Sequence, residues 1–254
     1  MFDGITVEVC AGSYADVLAA AAFPIDRIEL NCALELGGLT PTVPTLQLAK
    51  EITEVPVLCM VRPRAAGFCY RDEERMVMIR EAEYLLENGA DGIVFGILKE
   101  DHTVNEEVTR MFALLCHAYG QEAVFHRAFD ETPDPFAAME TLIACGIDRV
   151  LTSGQKSSAL EGAELIGQLT ARYGDKISIL PGAGITADTV IPLLEQTKSR
   201  QIHLSAKSYR LDGGSYPCTD PEKLLAVKNR IEEFHAGQRS SGFLILNNDS
   251  SLHL

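Results

Sequence analysis

Positive charge is scarce in this sequence: 22 lysines and arginines stand against 36 aspartates and glutamates, for a formal net charge of -14. That deficit excludes broad attraction to nucleic acid or to an anionic membrane surface, both of which need clustered positive potential. Long apolar runs are also missing. No stretch approaches the roughly 18 residues that a membrane span requires, so no membrane partner is expected. The seven cysteines are odd in number, scattered, and nowhere spaced as Cys-x-x-Cys. They therefore fit reduced thiols, mostly buried as small apolar residues, better than a disulfide framework. The chain opens on Met1-Phe2-Asp3-Gly4 without a basic segment and apolar signal core. The expected location is cytoplasmic.

What is present is ordinary globular balance, 46% hydrophobic and 23% charged over 254 residues. That length is close to the roughly 250 residues of a single (β/α)₈ barrel. Short runs rich in Val, Ile and Leu alternate with longer amphipathic segments, the pattern of repeated βα units around a parallel sheet. Strands are predicted at 6–9, 27–30, 57–61, 92–95, 123–125, 149–152, 177–180 and 201–204. Helices are predicted near 14–22, 45–52, 73–88, 105–119, 134–145, 159–173, 187–196 and 221–235. Asn88-Gly89 and Cys145-Gly146 read as helix stops; Asp134-Pro135 and Asp220-Pro221 read as starts. An open doubly wound sheet uses the same units, but eight of them with no further domain favour a closed barrel. One α/β domain of the TIM-barrel type is thus expected over residues 1–235. Residues 236–254 mix Gly, Ser and Asn with Phe243-Leu244-Ile245-Leu246, and read either as a flexible tail or as a segment docking on a neighbour, for instance in a homo-oligomer.

Active sites in such barrels gather where the strands run into the following loops, so polar residues there carry most weight. Glu8 interrupts Thr6-Val7-Glu8-Val9, and Glu29 interrupts Arg27-Ile28-Glu29-Leu30. Alternation turns both carboxylates into the barrel if their aliphatic neighbours face the helices. They are either acid/base groups or members of a closed ion network with interior arginines. Arg62 and Arg64 are expected on one face of the third strand, where two guanidiniums could clamp an anion or pair with Glu8 and Glu29. The run His126-Arg127-Ala128-Phe129-Asp130 puts a proton-exchanging group, a cation and a carboxylate close together, with Asp130 as the group to fix the His126 tautomer. Ser153 and Gly154 after strand six, Gly182 and Gly184 after strand seven, and His203 with Ser205 at strand eight complete a small-residue rim suited to a phosphate or another small anionic metabolite. Among the thiols, Cys10 and Cys32 follow neighbouring strands and form the one pair whose topology suggests a shared soft metal ion such as Cu(I).

The stretches Arg27-Ile28-Glu29-Leu30, Gly37-Gly38-Leu39-Thr40-Pro41, Arg62-Pro63-Arg64, Phe68-Cys69-Tyr70, Phe125-His126-Arg127-Ala128-Phe129-Asp130, Leu151-Thr152-Ser153-Gly154-Gln155-Lys156-Ser157 and Gly182-Ala183-Gly184 resemble the CutC copper homeostasis family across nearly the whole chain. The resemblance implies a cytoplasmic TIM-type barrel with a role in copper handling and cuprous-ion binding through cysteines. Two departures stand out. The family usually continues the Ile-Glu-Leu stretch with cysteine, whereas this chain has Asn31 and then Cys32; and it has Ala65-Ala66-Gly67-Phe68 where the family usually has Gly-Gly-Asp-Phe. A one-residue shift along a strand reverses a side chain's direction, so Cys32 is no simple replacement. Two classes of function follow. One is a copper-binding or copper-handling protein. The other is an enzyme working on a small anionic or phosphorylated metabolite through Glu8, Glu29, His126, Asp130 and His203, with Arg62, Arg64 and Arg127 as substrate-binding groups.

Overall fold

A computed structural model describes residues 2–248, with side chains described for 2–236. Eight parallel strands form the frame: β1 Thr6–Ala11, β2 Arg27–Leu30, β3 Val57–Met60, β4 Gly92–Phe95, β5 Glu122–Phe125, β6 Arg149–Thr152, β7 Ser178–Pro181 and β8 Gln201–Leu204. They pair in the order β7-β6-β5-β4-β3-β2-β1-β8. A parallel bridge from Gly182 to His203 brings the two ends of that sheet together, so the ring is nearly closed. Between and after the strands lie α1 Tyr14–Ala21, α2 Val43–Ile52, α3 Asp72–Glu87, α4 Glu106–Ala118, α5 Pro135–Cys145, α6 Ala163–Tyr173, α7 Val190–Thr197 and α8 Pro221–Asn248.

The sequence makes these boundaries chemically. Asp134 accepts from the amides of Phe136 and Ala137 at 2.9 and 3.1 Å and Pro135 opens α5, while Gly146 ends it at φ 84°. Asp220 caps the Glu222 amide at the start of α8. That helix runs on to Asn248, past the end expected near 235, because no proline interrupts it. The side chains of 237–254, and with them any docking of residues 243–246, lie outside the described residues.

Strand alternation divides the packing. Val7, Val9, Ile28, Cys59, Ile93, Phe95, Phe125, Val150 and Ile202 face outward and pack with helix residues such as Met78, Leu85, Phe112 and Ile166 in the main core. The opposite faces of β3, β4 and β5 supply a separate apolar cluster inside the ring: Leu58, Met60, Val94 and Val124. The interior is therefore greasy on the β3–β5 side and charged on the β1, β2, β6 and β8 side.

One element was not expected. An antiparallel hairpin, β9 Lys207–Leu211 and β10 Ser215–Thr219, follows β8. Its base is tied to the start of α1, where buried Asp16 accepts from the Thr219 amide at 2.6 Å while its other oxygen takes the Ser13 hydroxyl and the Gly12 amide.

Candidate metal centre in the barrel mouth

Because Val7 and Val9 point to the helices, Glu8 and Cys10 point inward; on β2 the same alternation turns Arg27 and Glu29 inward. Register then aligns them. Glu8 lies level with Arg27 on one side and His203 on the other, and Cys10 lies level with Glu29. A thiol sulfur, a carboxylate oxygen and an imidazole nitrogen from Cys10, Glu29 and His203 all lie within 4.8 Å of one another. Among the described residues this is the one such group of three or more His, Cys, Asp or Glu side chains. Cys10 donates to Glu29 Oε1 at 3.7 Å; Asn31 Nδ2 donates to the same oxygen at 2.9 Å and lies 3.5 Å from the Cys10 sulfur. Glu29 Oε2 is buried without a hydrogen-bond partner.

Glu8 anchors the group from below. One oxygen lies 2.7 Å from His203 Nδ1. The other accepts from Arg27 Nε at 2.8 Å and from Arg149 at 3.2 Å, and Arg149 reaches on to Glu122 at 2.6 and 2.8 Å. Burial would raise the Glu8 pKa, but the hydrogen bond to His203 and the charges of His203, Arg27 and Arg149 outweigh it and hold the carboxyl down at about 2. An ionised Glu8 only accepts, so His203 carries its proton on Nδ1. Burial disfavours charge on His203 too, yet the Glu29 charge and the bonds to Cys10 and Glu8 raise it well above its usual value. Glu29 and Cys10 are both pushed up, first by burial. Burial thus favours the protonated thiol of Cys10 and the protonated carboxyl of Glu29 beside His203.

Of the two readings of the interior glutamates, the ion network with arginines holds for Glu8; no arginine pairs with Glu29 among the described residues, and Glu29 Oε2 meets the network only through His203 Nδ1 at 4.0 Å. The network's arginines are Arg27 and Arg149 rather than Arg62 and Arg64. Arg27 precedes Glu29 by two residues, a spacing that signals the same face; Arg149, 141 residues from Glu8, left no such trace.

The expected clamp of Arg62 and Arg64 does not form. β3 ends at Met60, so alternation stops before either arginine. Buried Arg62 gives its hydrogens to the carbonyls of Leu36, Gly38 and Ala66 at 3.1, 3.2 and 2.7 Å and covers Phe68; Arg64 turns out to Glu74. His126 and Asp130 are not partners either, because the chain turns into a 3-10 helix at Arg127–Glu131. His126 Nδ1 accepts from the Ala128 amide at 3.0 Å as that helix's cap, and burial together with the Arg62 charge pushes the imidazole down to about 3. Asp130 instead receives Thr152, the Ser153 and Gln155 amides, and Arg127. Arg127 also donates to Ser153 Oγ at 2.8 Å, and the Gly154 amide to Thr152 Oγ1 at 2.9 Å. This second cluster fastens the loop after β6. Gly182 closes the ring through its bridge to His203; Gly184 turns the next loop at φ 70°; Ser205 is half-buried just past β8. Cys10 lies within β1 rather than beyond it, and Cys32 gives its thiol to the Thr40 carbonyl at 3.2 Å, outside the Cys10 group.

Comparison with known proteins agrees with this architecture. The profile of the CutC family matches residues 5–208. The chain belongs to the CutC family. A CutC relative from Treponema denticola is 47% identical over 206 residues, covering 81% of this chain and 83% of its own. The human copper homeostasis protein cutC homolog is 41% identical over 211 residues, 83% of this chain and 77% of its own. Among solved structures, the copper homeostasis protein CutC of Streptococcus agalactiae superposes with a TM-score of 0.74 at 28% identity, covering 79% of this chain and 98% of that one. The CutC profile ends within β9, so most of the β9–β10 hairpin lies beyond the matched region.

Proposed function

We propose that the chain serves copper homeostasis in the cytoplasm by holding one metal ion at the barrel mouth, on Cys10, Glu29 and His203. The observation that carries this reading is the convergence of a thiol, a carboxylate and an imidazole within 4.8 Å, with Glu29 Oε2 buried, lacking a hydrogen bond and 4.0 Å from His203 Nδ1. A buried carboxylate oxygen without a hydrogen bond is costly, and a bound cation would offset that cost. The relatives' names supply copper. Free cysteines throughout the chain suit a reducing compartment, and no described helix is long and apolar enough to cross a membrane. The anionic-metabolite enzyme has less support, since Arg64 and Arg127 already face Glu74 and Asp130 and Arg62 is spent on backbone carbonyls.

The fit to a cuprous ion is partial. Such an ion favours two soft sulfurs, and the group offers one. Anaerobic Cu(I) titration of the reduced protein against a chromophoric chelator tests the reading. One weakly held equivalent is expected, lost in Cys10→Ser and in His203→Gln and kept in Cys32→Ser. No bound copper, or binding that Cys10→Ser leaves untouched, overturns it.

A further inference from the structure

Resting on the reading that Cys10, Glu29 and His203 hold a metal, we infer that this group prefers a borderline divalent ion of the zinc class to a cuprous ion, and that Asn31 sets the preference. The donors are one sulfur, one nitrogen and one oxygen. Zinc accepts all three types in a tetrahedron, whereas a carboxylate oxygen is too hard to add much for Cu(I).

Charge points the same way. A thiolate and a carboxylate neutralise a divalent ion beside a neutral imidazole; with a monovalent ion they leave a buried negative charge next to Glu8, whose own charge Arg27 and Arg149 already take up. Geometry agrees as well. Tetrahedral zinc at ordinary bond lengths separates its donors by about 3.3–3.8 Å. Cys10 and Glu29 stand 3.7 Å apart before any ion enters, and no pair in the group exceeds 4.8 Å. An outer layer is in place: Glu8, fixed by two arginines, fixes the His203 ring through Nδ1 at 2.7 Å, as carboxylates do for zinc-bound histidines.

Asn31 decides between the two ions. It is 1% exposed and its Nδ2 donates to Glu29 Oε1 and toward the Cys10 sulfur, so it stabilises the anionic forms of both ligands. It also fills the inward position from which a second sulfur would reach Cys10. Its Oδ1 lies beside Gly38, where an added Cβ would sit 2.4 Å away, so the absence of a side chain at Gly38 makes room for the amide. Cys32, the next residue, is turned to Thr40 and cannot supply that sulfur.

The test is a set of anaerobic titrations of the reduced full chain with Zn(II), Co(II) and Cu(I), in wild type, Cys10→Ser, Asn31→Cys and Asn31→Ser. Wild type is expected to bind one Co(II) with a thiolate charge-transfer band and four-coordinate visible intensity, displaced by Zn(II) and absent in Cys10→Ser. Asn31→Cys is expected to raise Cu(I) affinity at least tenfold relative to Zn(II). Asn31→Ser, which adds no thiol, should weaken Co(II) binding several-fold without that gain, and it keeps the question answerable should Asn31→Cys fail to fold. Wild-type protein that takes Cu(I) but neither Co(II) nor Zn(II) overturns the inference and leaves the metal reading intact. No bound ion of any kind overturns both. An unchanged Cu(I) to Zn(II) ratio in a folded Asn31→Cys protein refutes the role of Asn31.

Discussion

Replacing Glu8 with glutamine removes a charge from a side chain that is 1% exposed and leaves Arg27 and Arg149 facing an amide of the same shape. The carboxyl pKa falls from 4.5 to about 2 in the fold. At about 1.4 kcal/mol per pKa unit, that shift corresponds to roughly 3 kcal/mol of stability. Breaking one side of a buried ion pair costs about 3–5 kcal/mol, which agrees. Because a depressed carboxyl stabilises the fold above its unfolded pKa, the contribution is fully present at pH 7. It fades as the pH drops from about 4.5 toward 2. In urea, Glu8→Gln should lose roughly 3 kcal/mol at pH 7, a fall in Tm of about 6–12 °C for a chain of this size. The gap between the two proteins should narrow steadily below pH 4.5. A loss under about 1 kcal/mol at neutral pH, or a gap that does not shrink in acid, would refute the network as described.

Two further outcomes follow from local packing and thiol exposure. Gly96→Ala would place its Cβ 2.4 Å from the His126 ring and 2.7 Å from the Ala128 methyl, so a loss of about 1–3 kcal/mol is expected by urea unfolding; an unchanged midpoint would contradict that contact. Brief alkylation of the native reduced protein near pH 8 should mark exposed Cys69 and spare buried Cys59 and Cys116, the latter pushed up to about 12 by burial; mass spectrometry reads the result, and equal labelling would contradict their burial.

The barrel was legible because its strands are short, apolar and buried on both faces, so the Val- and Ile-rich runs stand out, and because Asp134-Pro135 and Asp220-Pro221 mark helix starts by local chemistry alone. Glu8 and Glu29 were legible as interior groups for the same local reason: a charge flanked on both sides by aliphatic residues that face the helices must itself face the other way. Arg149 was not, since its pairing with Glu8 crosses the barrel and depends on closure. Arg62 and Arg64 misled because alternation was carried past Met60, where the strand had ended before Pro63. The β9–β10 hairpin went unseen although Asp212-Gly213-Gly214 is a turn signal, because most of its flanking residues are exposed and show no apolar period. Asn31 was noticed as a departure from the family pattern, but its hydrogen bonds to Glu29 and toward Cys10 depend on register between β1 and β2, which only the fold supplies.

The most direct test of a metal centre at the barrel mouth is anomalous diffraction from crystals loaded with Zn(II) or copper under reducing conditions. One strong peak is predicted at coordination distance from Cys10 Sγ, Glu29 and the His203 ring, with Cys32 uninvolved. A mouth empty of anomalous signal in a loaded crystal, or a peak held by Cys32 or Cys69 instead, would contradict it.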